Sequence, residues 1–393
     1  MGKSLLWLAL CLLLPGCAPR LPPAAARPSS PKWLVLYYGS ADCDLEGHMM
    51  DDQRELASVG ASPEVEVLAL IDRSPKNSRE SGYSDEALGN LRAWTGARLL
   101  HPTRERVELL EDWRLTNMAS QATFERFLAS ATQIYPGRRI VVILSGHGAG
   151  PTGMALDDSA PDDLLTPEEM AAAFQHCHLQ AELIGLDACL MSHLEVAEKL
   201  APYARVLVAS QESEPESGWD YASLLRDLQA RPDMTGVQLG GVVSRSYQRS
   251  FDRNRDSSVQ EEGKSITLSV VQLDQLGQVK RALDRLARIC LRDPQACKQL
   301  QAVLQTMPSF GLSDPPEEGE VPYYDLNELA ERLGKVAPLR ASAGELLQAG
   351  RRAVALKVQG RQQAHAGGLS VGLQENLDEN SFWTLLGNRL VAD

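Results

Sequence analysis

A histidine and a cysteine each follow closely on an apolar run of the sequence. His147 stands in ILSGHGAG, and Cys189 stands in LIGLDACLMS, 42 residues further along the chain. The thiolate is the reactive form of cysteine, and a nearby imidazole can take up the thiol proton and activate the nucleophile. The backbone N–H groups of Gly148 and Cys189 are natural donors to the oxyanion of an acyl-transfer reaction. The spacing therefore indicates nucleophilic catalysis, provided that the fold brings the two side chains together.

Each of these residues also has a purely structural explanation. Free cysteine is among the most buried residue types, so Cys189 can simply fill a core. A single cysteine with a histidine upstream is a weak signal on its own. The placement of both residues at the ends of predicted strands is what favours the catalytic interpretation.

The elements that must position these residues follow from an alternation of short apolar runs with longer amphipathic stretches. This alternation predicts an α/β fold with a mostly parallel sheet and helices on both faces. Because ligands bind beyond the carboxyl ends of parallel strands, we expect His147, Cys189 and the acidic loop 210–215 at one edge of the sheet. The predicted strands are 33–38, 64–71, 140–145, 182–187 and 205–210, and the predicted helices are 119–134, 166–174, 193–201 and 222–229.

The pattern changes after about residue 264. We interpret residues 32–264 as one domain, which contains His147 and Cys189. Residues 265–393 are interpreted as a helical C-terminal region that returns one strand to the sheet or its edge. Strands are predicted at 266–273 and 367–373, and helices at 275–307, 325–333 and 342–359.

The N-terminus has the features of an export signal. Lys3 precedes an apolar stretch, residues 5–14, that is too short to span a bilayer and has the proportions of a signal peptide. The following residues resemble a bacterial lipoprotein cleavage box, so we expect residues 1–16 to be removed and Cys17 to carry a lipid. An ordinary cleaved signal is the alternative. Residues 17–31, rich in Pro and Ala, are typical of an extended tether to a membrane of the bacterial envelope.

Composition excludes some classes of function. The 393-residue chain has a formal net charge of −13 without a basic cluster, which argues against nucleic-acid binding. The cysteines after residue 17 are too few for a disulfide-dense scaffold. Cys290 and Cys297 flank a predicted turn between helices, so a local disulfide and two separate thiols both fit.

Several segments together resemble the clostripain family of cysteine peptidases, within the caspase-like group. In that family one strand leads to a His-Gly pair and the next core strand to Asp-Ala-Cys, as ILSGHGAG and LIGLDACLMS do here. The resemblance extends over roughly residues 32–373. The further segments that carry it are WLVLYYGSADCDLEGHMMDDQREL, EVLALIDRS, VASQESEPESGWDY, VPYYDLNELA and GGLSV.

The resemblance implies that residues 32–264 are a caspase-like catalytic domain. It also implies the hydrolysis of peptide bonds, with His147 as general acid and base and Cys189 as nucleophile. Family members prefer a basic residue, especially Arg, before the cleaved bond. Such a preference fits an acidic pocket, because carboxylates pair well with guanidinium. Asp187 matches the family acid two residues before the nucleophile and is the first candidate for this pocket. Glu212 and Glu214 are further candidates, and solvated loop acids are the alternative.

We expect no cofactor to be required. Calcium is an open expectation, because Asp157 and Asp158 stand close to Asp162 and Asp163, close carboxylates can bind it, and calcium dependence occurs in the family. A solvated acidic loop is the alternative. The expected partners are protein or peptide substrates with a basic residue before the cut, and the chain is expected to be a monomer. Two other functions stay open: a catalytically inactive surface binding module and a thiol acyltransferase.

Overall fold

The computed structural model describes residues 32–75, 82–136, 138–312 and 321–372. The predicted signal peptide (1–16), the tether (17–31) and Cys17 lie outside these residues. Within the described ranges, no helix is both long and apolar enough to cross a bilayer.

A sheet of nine strands forms the centre of the part that the structure describes, and a sheet of two strands lies beside it. In chain order the strands are β1 (Trp33–Ala41), β2 (Val65–Arg73), β3 (Ala97–Pro102), β4 (Val107–Arg114), β5 (Arg139–Ser145), β6 (Ala181–Asp187), β7 (Ala204–Ala209), β8 (Thr267–Gln272), β9 (Tyr323–Asp325), β10 (Val354–Gln359) and β11 (Ser370–Gly372). The order across the large sheet is β10-β8-β7-β6-β5-β1-β2-β3-β4. The five central strands, β7 to β2 in that order, run parallel, and antiparallel pairs extend the sheet at both edges.

Helices cover both faces of the large sheet. They are α1 (Glu46–Val59), α2 (Gln121–Ile134), α3 (Pro167–His176), α4 (Leu194–Leu200), α5 (Tyr221–Ala230), α6 (Gly236–Asp252), α7 (Ser257–Glu262), α8 (Leu276–Arg292), α9 (Pro294–Leu304), α10 (Leu326–Leu333) and α11 (Arg340–Ala353). Successive side chains of a strand point to opposite faces. Along β1, Leu34 and Leu36 accordingly belong to the core under α2, α3 and α8 to α11, whereas Val35 and Tyr37 belong to the core under α1, α5 and α6. The predicted α/β fold is confirmed.

The C-terminal part differs from the sequence prediction in its strands. The run 367–373 was predicted as a strand, and its strand β11 pairs with β9 in the separate small sheet. The large sheet instead receives β8 and β10. The predicted helix 342–359 ends at Ala353, because Val354, Leu356 and Val358 recur at the period of a strand and pair with β8. The division of the chain at residue 264 stays a prediction.

Other elements match their sequence signals closely. The predicted helix start at Thr166 is a complete capping box, in which the Thr166 hydroxyl accepts from the Glu169 N–H and the Glu169 carboxylate accepts from the Thr166 N–H. Cys290 and Cys297, for which a disulfide and free thiols both fitted, are free thiols.

Candidate active site

The register of β5 and β6 places His147 beside Cys189. Ser145 pairs with Asp187 at the carboxyl ends of these two parallel strands. Two residues further along each segment stand His147 and Cys189. The Gly146 N–H donates to the Asp187 carbonyl oxygen at 3.3 Å, so the two segments remain hydrogen-bonded just beyond the strands. The alignment of two strand ends is therefore what brings the histidine and the cysteine to the same edge of the sheet.

Gly148 allows the two turns to approach each other closely. A Cβ atom at this position would lie 2.6 Å from the Cys189 carbonyl oxygen and 2.8 Å from the Ala188 Cβ. Any side chain there would push the two turns apart. Among the described residues, the backbone N–H groups of Gly148 and Cys189 meet no hydrogen-bond acceptor. Two unpaired donors thus lie on adjoining turns, as an oxyanion site requires.

His147 and Cys189 line one cavity of about 130 Å³. Its other lining residues come from the start of α1, the turn after β5, the end of β6 and the loop after β7. They are Asp44, Leu45, Met49, Asp52, Ser145, Gly146, Asp187, Ala188, Glu214, Pro215, Glu216 and Gly218. The walls carry five acidic side chains and, within the part of the chain that the structure describes, neither Lys nor Arg. The described wall of the cavity is therefore strongly acidic.

Asp44 is a neighbour of His147 that the sequence analysis did not single out. Its Oδ1 lies 2.7 Å from the His147 Nε2 atom, and both side chains are partly exposed. Asp44 stands between β1 and α1, and β1 is the direct neighbour of β5 on the side opposite to β6. A carboxylate at this distance fixes the orientation of the imidazole ring.

The thiol of Cys189 is largely enclosed. Burial raises its pKa above the ordinary range, and the nearby charges of Glu212 and Asp187 act in the same direction. The Glu214 N–H donates to Sγ at 3.3 Å and opposes these effects, because it favours the thiolate. The thiol form therefore prevails at rest, and a base beside it is needed to generate the nucleophile.

Asp187 lies at the inner wall of the cavity and is 6% exposed. Its carboxylate accepts hydrogen bonds from the Tyr221 hydroxyl at 2.6 Å and from the Trp219 N–H at 3.4 Å. Burial raises the pKa of Asp187 to about 6, although these donors favour the charged form. Gly218 faces this carboxylate with a φ of 58°, and a Cβ there would lie 3.1 Å from Oδ2. The side chain is thus fixed in place and open to the cavity across a glycine.

Two further acids, Glu214 and Asp52, line the same cavity as Asp187. The Glu214 carboxylate accepts from the Trp219 Nε1–H at 3.0 Å, and its Oε1 is buried without a partner in the described part of the chain. Asp52, on α1, accepts from the Tyr37 hydroxyl at 3.2 Å. Burial, followed by the charge of Asp187, raises the pKa of both carboxyls well above their usual range. Among the described residues that line the cavity, neither Lys nor Arg is present to stabilise the charged forms of these acids.

The structure separates the three acids proposed from the sequence. Asp187 and Glu214 line the cavity, whereas Glu212 does not. The Glu212 carboxylate accepts from the Ser213 N–H at 2.8 Å, and its carbonyl oxygen accepts from the Leu190 N–H at 3.3 Å. Glu212 therefore shapes the loop next to the cysteine without facing the cavity.

Comparison with known proteins identifies the family. The sequence model of the clostripain family matches residues 37–351. The chain belongs to the clostripain family. It is 25% identical to clostripain from Hathewaya histolytica over an alignment of 351 positions, which covers 77% of this chain and 66% of clostripain. The chain thus spans slightly less than two thirds of the length of that relative.

Solved structures of similar fold come from the same family of peptidases. A secreted C11 cysteine protease from Bacteroides thetaiotaomicron, "iotapain", has a TM-score of 0.65 at 13% identity, with 92% of this chain and 97% of that chain covered. An inactive zymogen C11 protease from Parabacteroides distasonis has a TM-score of 0.62 at 17% identity, with 89% and 94% covered. These likenesses confirm that the clostripain-family chain has the caspase-like fold.

Proposed function

We propose that this clostripain-family chain is a cysteine endopeptidase that cleaves peptide bonds after basic residues. The observation that carries the proposal is the shared cavity, in which Cys189 and His147 at adjoining strand ends face the buried carboxyls of Asp187, Asp52 and Glu214. A Cys–His pair supplies the nucleophile and its base. An acidic wall without Lys or Arg among the described residues supplies the preference for positive charge.

In the acylation step, His147 takes the proton of the Cys189 thiol and the sulfur attacks the carbonyl carbon of the scissile bond. The N–H groups of Gly148 and Cys189 donate to the resulting oxyanion. The tetrahedral intermediate collapses when the C–N bond breaks and protonated His147 gives its proton to the leaving amine. A thioester to Cys189 is left. Water, deprotonated by His147, then hydrolyses the thioester and restores the thiol. Asp44 acts as a positioning residue, because it holds the imidazole that carries the proton.

The preference for Arg or Lys follows from the cost of burying carboxylates. Asp187, Asp52 and Glu214 are enclosed and have no cationic partner in the described part of the chain, so an arriving guanidinium or ammonium group would supply one. An uncharged side chain would leave them unpaired. Discrimination therefore comes from acids that are in place before the substrate binds.

We also propose export and attachment to a membrane. This proposal rests on the sequence of residues 1–16 and on Cys17, and the iotapain structure is described as that of a secreted protease. Labelling cells with radioactive palmitate and comparing wild type with Cys17→Ala tests it. We expect label only when Cys17 is present. Label that is absent from wild type, or equal in both proteins, would rule out lipidation at this residue.

Fluorogenic peptides that differ only in the residue before the cut test the catalytic proposal. We expect the reduced wild type to hydrolyse the Arg and Lys peptides. Cys189→Ala and His147→Ala should lose this activity while keeping the melting temperature of the wild type. Absence of cleavage of every basic, acidic and apolar substrate by folded wild type would refute the proposal. Retained hydrolysis in Cys189→Ala would refute the assignment of the nucleophile.

A further inference from the structure

Asp187 and Glu214 present their carboxyl groups to each other in the wall of the active-site cavity. Asp187 ends β6, and Glu214 stands in the loop after β7. The two side chains lie within hydrogen-bonding contact. Trp219 holds both of them, because its backbone N–H donates to Asp187 Oδ2 at 3.4 Å and its ring Nε1–H donates to Glu214 Oε2 at 3.0 Å. One residue thus keeps two acids side by side.

Two charged carboxylates cannot form the hydrogen bond between these side chains. An ionised carboxylate only accepts hydrogen bonds, so one of the partners must carry a proton. Like charges this close in an enclosed site also repel each other, and no Lys or Arg of the described chain lines the cavity to offset them. A single proton held between the two carboxyls supplies the hydrogen bond and removes the repulsion.

The surrounding donors indicate which of the two acids carries the proton. Asp187 accepts from the Tyr221 hydroxyl at 2.6 Å and from the Trp219 N–H, and such bonds favour a charged carboxylate. Glu214 accepts from the Trp219 ring alone in the described part of the chain, and its buried Oε1 atom has no donor. Burial, and then the charge of Asp187, raises the pKa of Glu214 well above its usual range. The proton therefore belongs on Glu214, where it gives the unpaired group a donor of its own.

The other ionisable groups around the pair do not replace this proton. They come from β1, α1, α5, α6 and the loops of the cavity, and in the described ranges they are Tyr37, Asp44, Asp52, His147, Cys189, Glu212, Glu216, Tyr221 and Tyr247. His147 is the one of these that can carry positive charge, and its Nε2 atom lies beside Asp44. The Tyr247 hydroxyl is buried without a partner among the described residues, and its pKa is raised by burial and then by the charge of Glu214. A second donor is therefore close to Glu214 when that residue becomes charged.

We propose that Asp187 and Glu214 share one proton before the substrate binds, and that an entering Arg or Lys side chain displaces it. This inference rests on the proposed preference for basic residues. The N–H groups of a guanidinium donate to both carboxylates, and a cation beside Glu214 favours its charged form. The O–H bond of Glu214 breaks, its electron pair stays on the carboxylate, and the proton passes to the buffer. An uncharged side chain brings no charge to replace the proton, so the exchange favours basic residues.

Calorimetric titration of Cys189→Ala with a short Arg peptide tests the displacement without cleavage. Repeating the titration at neutral pH in buffers of different ionisation enthalpy counts the protons released. We expect at least about half a proton per bound peptide, and an affinity that rises with pH.

Two variants in the Cys189→Ala background identify the source of the proton. Glu214→Gln should keep the wild-type melting temperature, because its amide can donate to Asp187 and its oxygen can accept from the Trp219 ring. It should release clearly less proton and bind the Arg peptide at least about tenfold more weakly. Asp52→Asn is the matched control, since Asp52 lines the same cavity and bonds to Tyr37, and it should still release the proton.

An infrared difference spectrum of the ligand-free protein tests the shared proton by itself. At neutral pH we expect the C=O stretch of a protonated carboxylic acid in wild type and its loss in Glu214→Gln. A spectrum in which this variant loses no such band would overturn the proposal. So would proton release that is equal with and without Glu214→Gln, or that disappears in Asp52→Asn alone, which would place the proton on Asp52.

The failure of the proposed function gives a different result. A Cys189→Ala protein that binds the Arg peptide no better than a citrulline peptide would refute the preference for basic residues, and the displacement step with it. The infrared band would still decide whether Asp187 and Glu214 share a proton. Tighter binding of the Arg peptide without release of a proton would refute the displacement alone.

Discussion

The exchange Asp187→Asn separates charge from shape in the substrate pocket. The amide oxygen of Asn can still accept from the Tyr221 hydroxyl and the Trp219 N–H, which hold the carboxylate at 2.6 Å and 3.4 Å. The geometry should therefore persist while one buried negative charge disappears. The variant should bind the transition state of a peptide with Arg before the cut much less tightly than wild type does. For a peptide with citrulline, which has nearly the same shape without the charge, variant and wild type should bind it about equally.

The magnitude follows from the environment of the carboxylate. Removing one partner of a buried ion pair costs about 3–5 kcal/mol. At 1.36 kcal/mol per factor of ten, this cost corresponds to a fall in kcat/KM between roughly 10² and 5 × 10³. Asp52 and Glu214 also face the cavity and retain part of the attraction, so we expect the lower end of this range, about 10²-fold.

The assay is kcat/KM for the Arg and citrulline peptides with both wild type and variant. Glu212→Gln is the matched control, because Glu212 is a nearby acid that does not line the cavity. It should leave the ratio of Arg to citrulline hydrolysis unchanged. Equal losses on both peptides in Asp187→Asn, at an unchanged melting temperature, would refute the assignment of Asp187 to charge selection.

The acidity of Asp187 adds a pH dependence to the same comparison. Burial raises its pKa to about 6, so the carboxylate is charged above this pH and becomes neutral as the pH falls through it. The preference for Arg over citrulline in wild type should therefore decline as the pH is lowered from 7 to 5. Using the ratio of the two peptides cancels the titration of the catalytic pair. A ratio that stays constant over this range would contradict the predicted role.

Three further predictions concern the catalytic turns. Asp44→Asn should lower kcat about tenfold with little change in KM, and Asp44→Glu should restore most of the loss, because Asp44 orients His147 and is itself partly exposed; a change confined to KM would contradict this. Gly148→Ala should lower kcat by roughly 10²–10³, because its Cβ would meet the Cys189 carbonyl oxygen at 2.6 Å and displace an oxyanion donor; wild-type kcat in this variant would contradict it. Residues 148–188 contain no Lys or Arg, so mass spectrometry should find no cut there, and fragments that form only with intact Cys189 would refute a single mature chain.

The sequence predicted the elements that carry the catalytic pair because their signals are local. Continuous apolar runs marked β5 and β6, and polar residues directly after each run placed His147 and Cys189 at the same edge. Asp187 was proposed from the family resemblance, and its place at the end of β6 puts it in the wall of the same cavity. The apolar runs were sufficient to place these residues at one edge of the sheet.

The acids that the sequence missed depend on long-range packing. Asp52 lies on α1 among other polar residues and could not be distinguished from a solvated helix face until Tyr37 was placed against it. Asp44 gains its role only because β1 lies between β5 and β2. The strands β3 and β4 were missed because their charged side chains, as in VELLEDWR, interrupt the apolar runs that mark the central strands.

An irreversible label that requires a working nucleophile tests the central claim most directly. The probe is a peptidyl chloromethyl ketone with Arg before the reactive group, followed by intact-mass measurement and peptide mapping. We predict one adduct per chain, on Cys189, that forms much more slowly in His147→Ala and with a citrulline probe. An adduct on another residue at the wild-type rate in Cys189→Ala, or no adduct on folded wild type, would contradict the account.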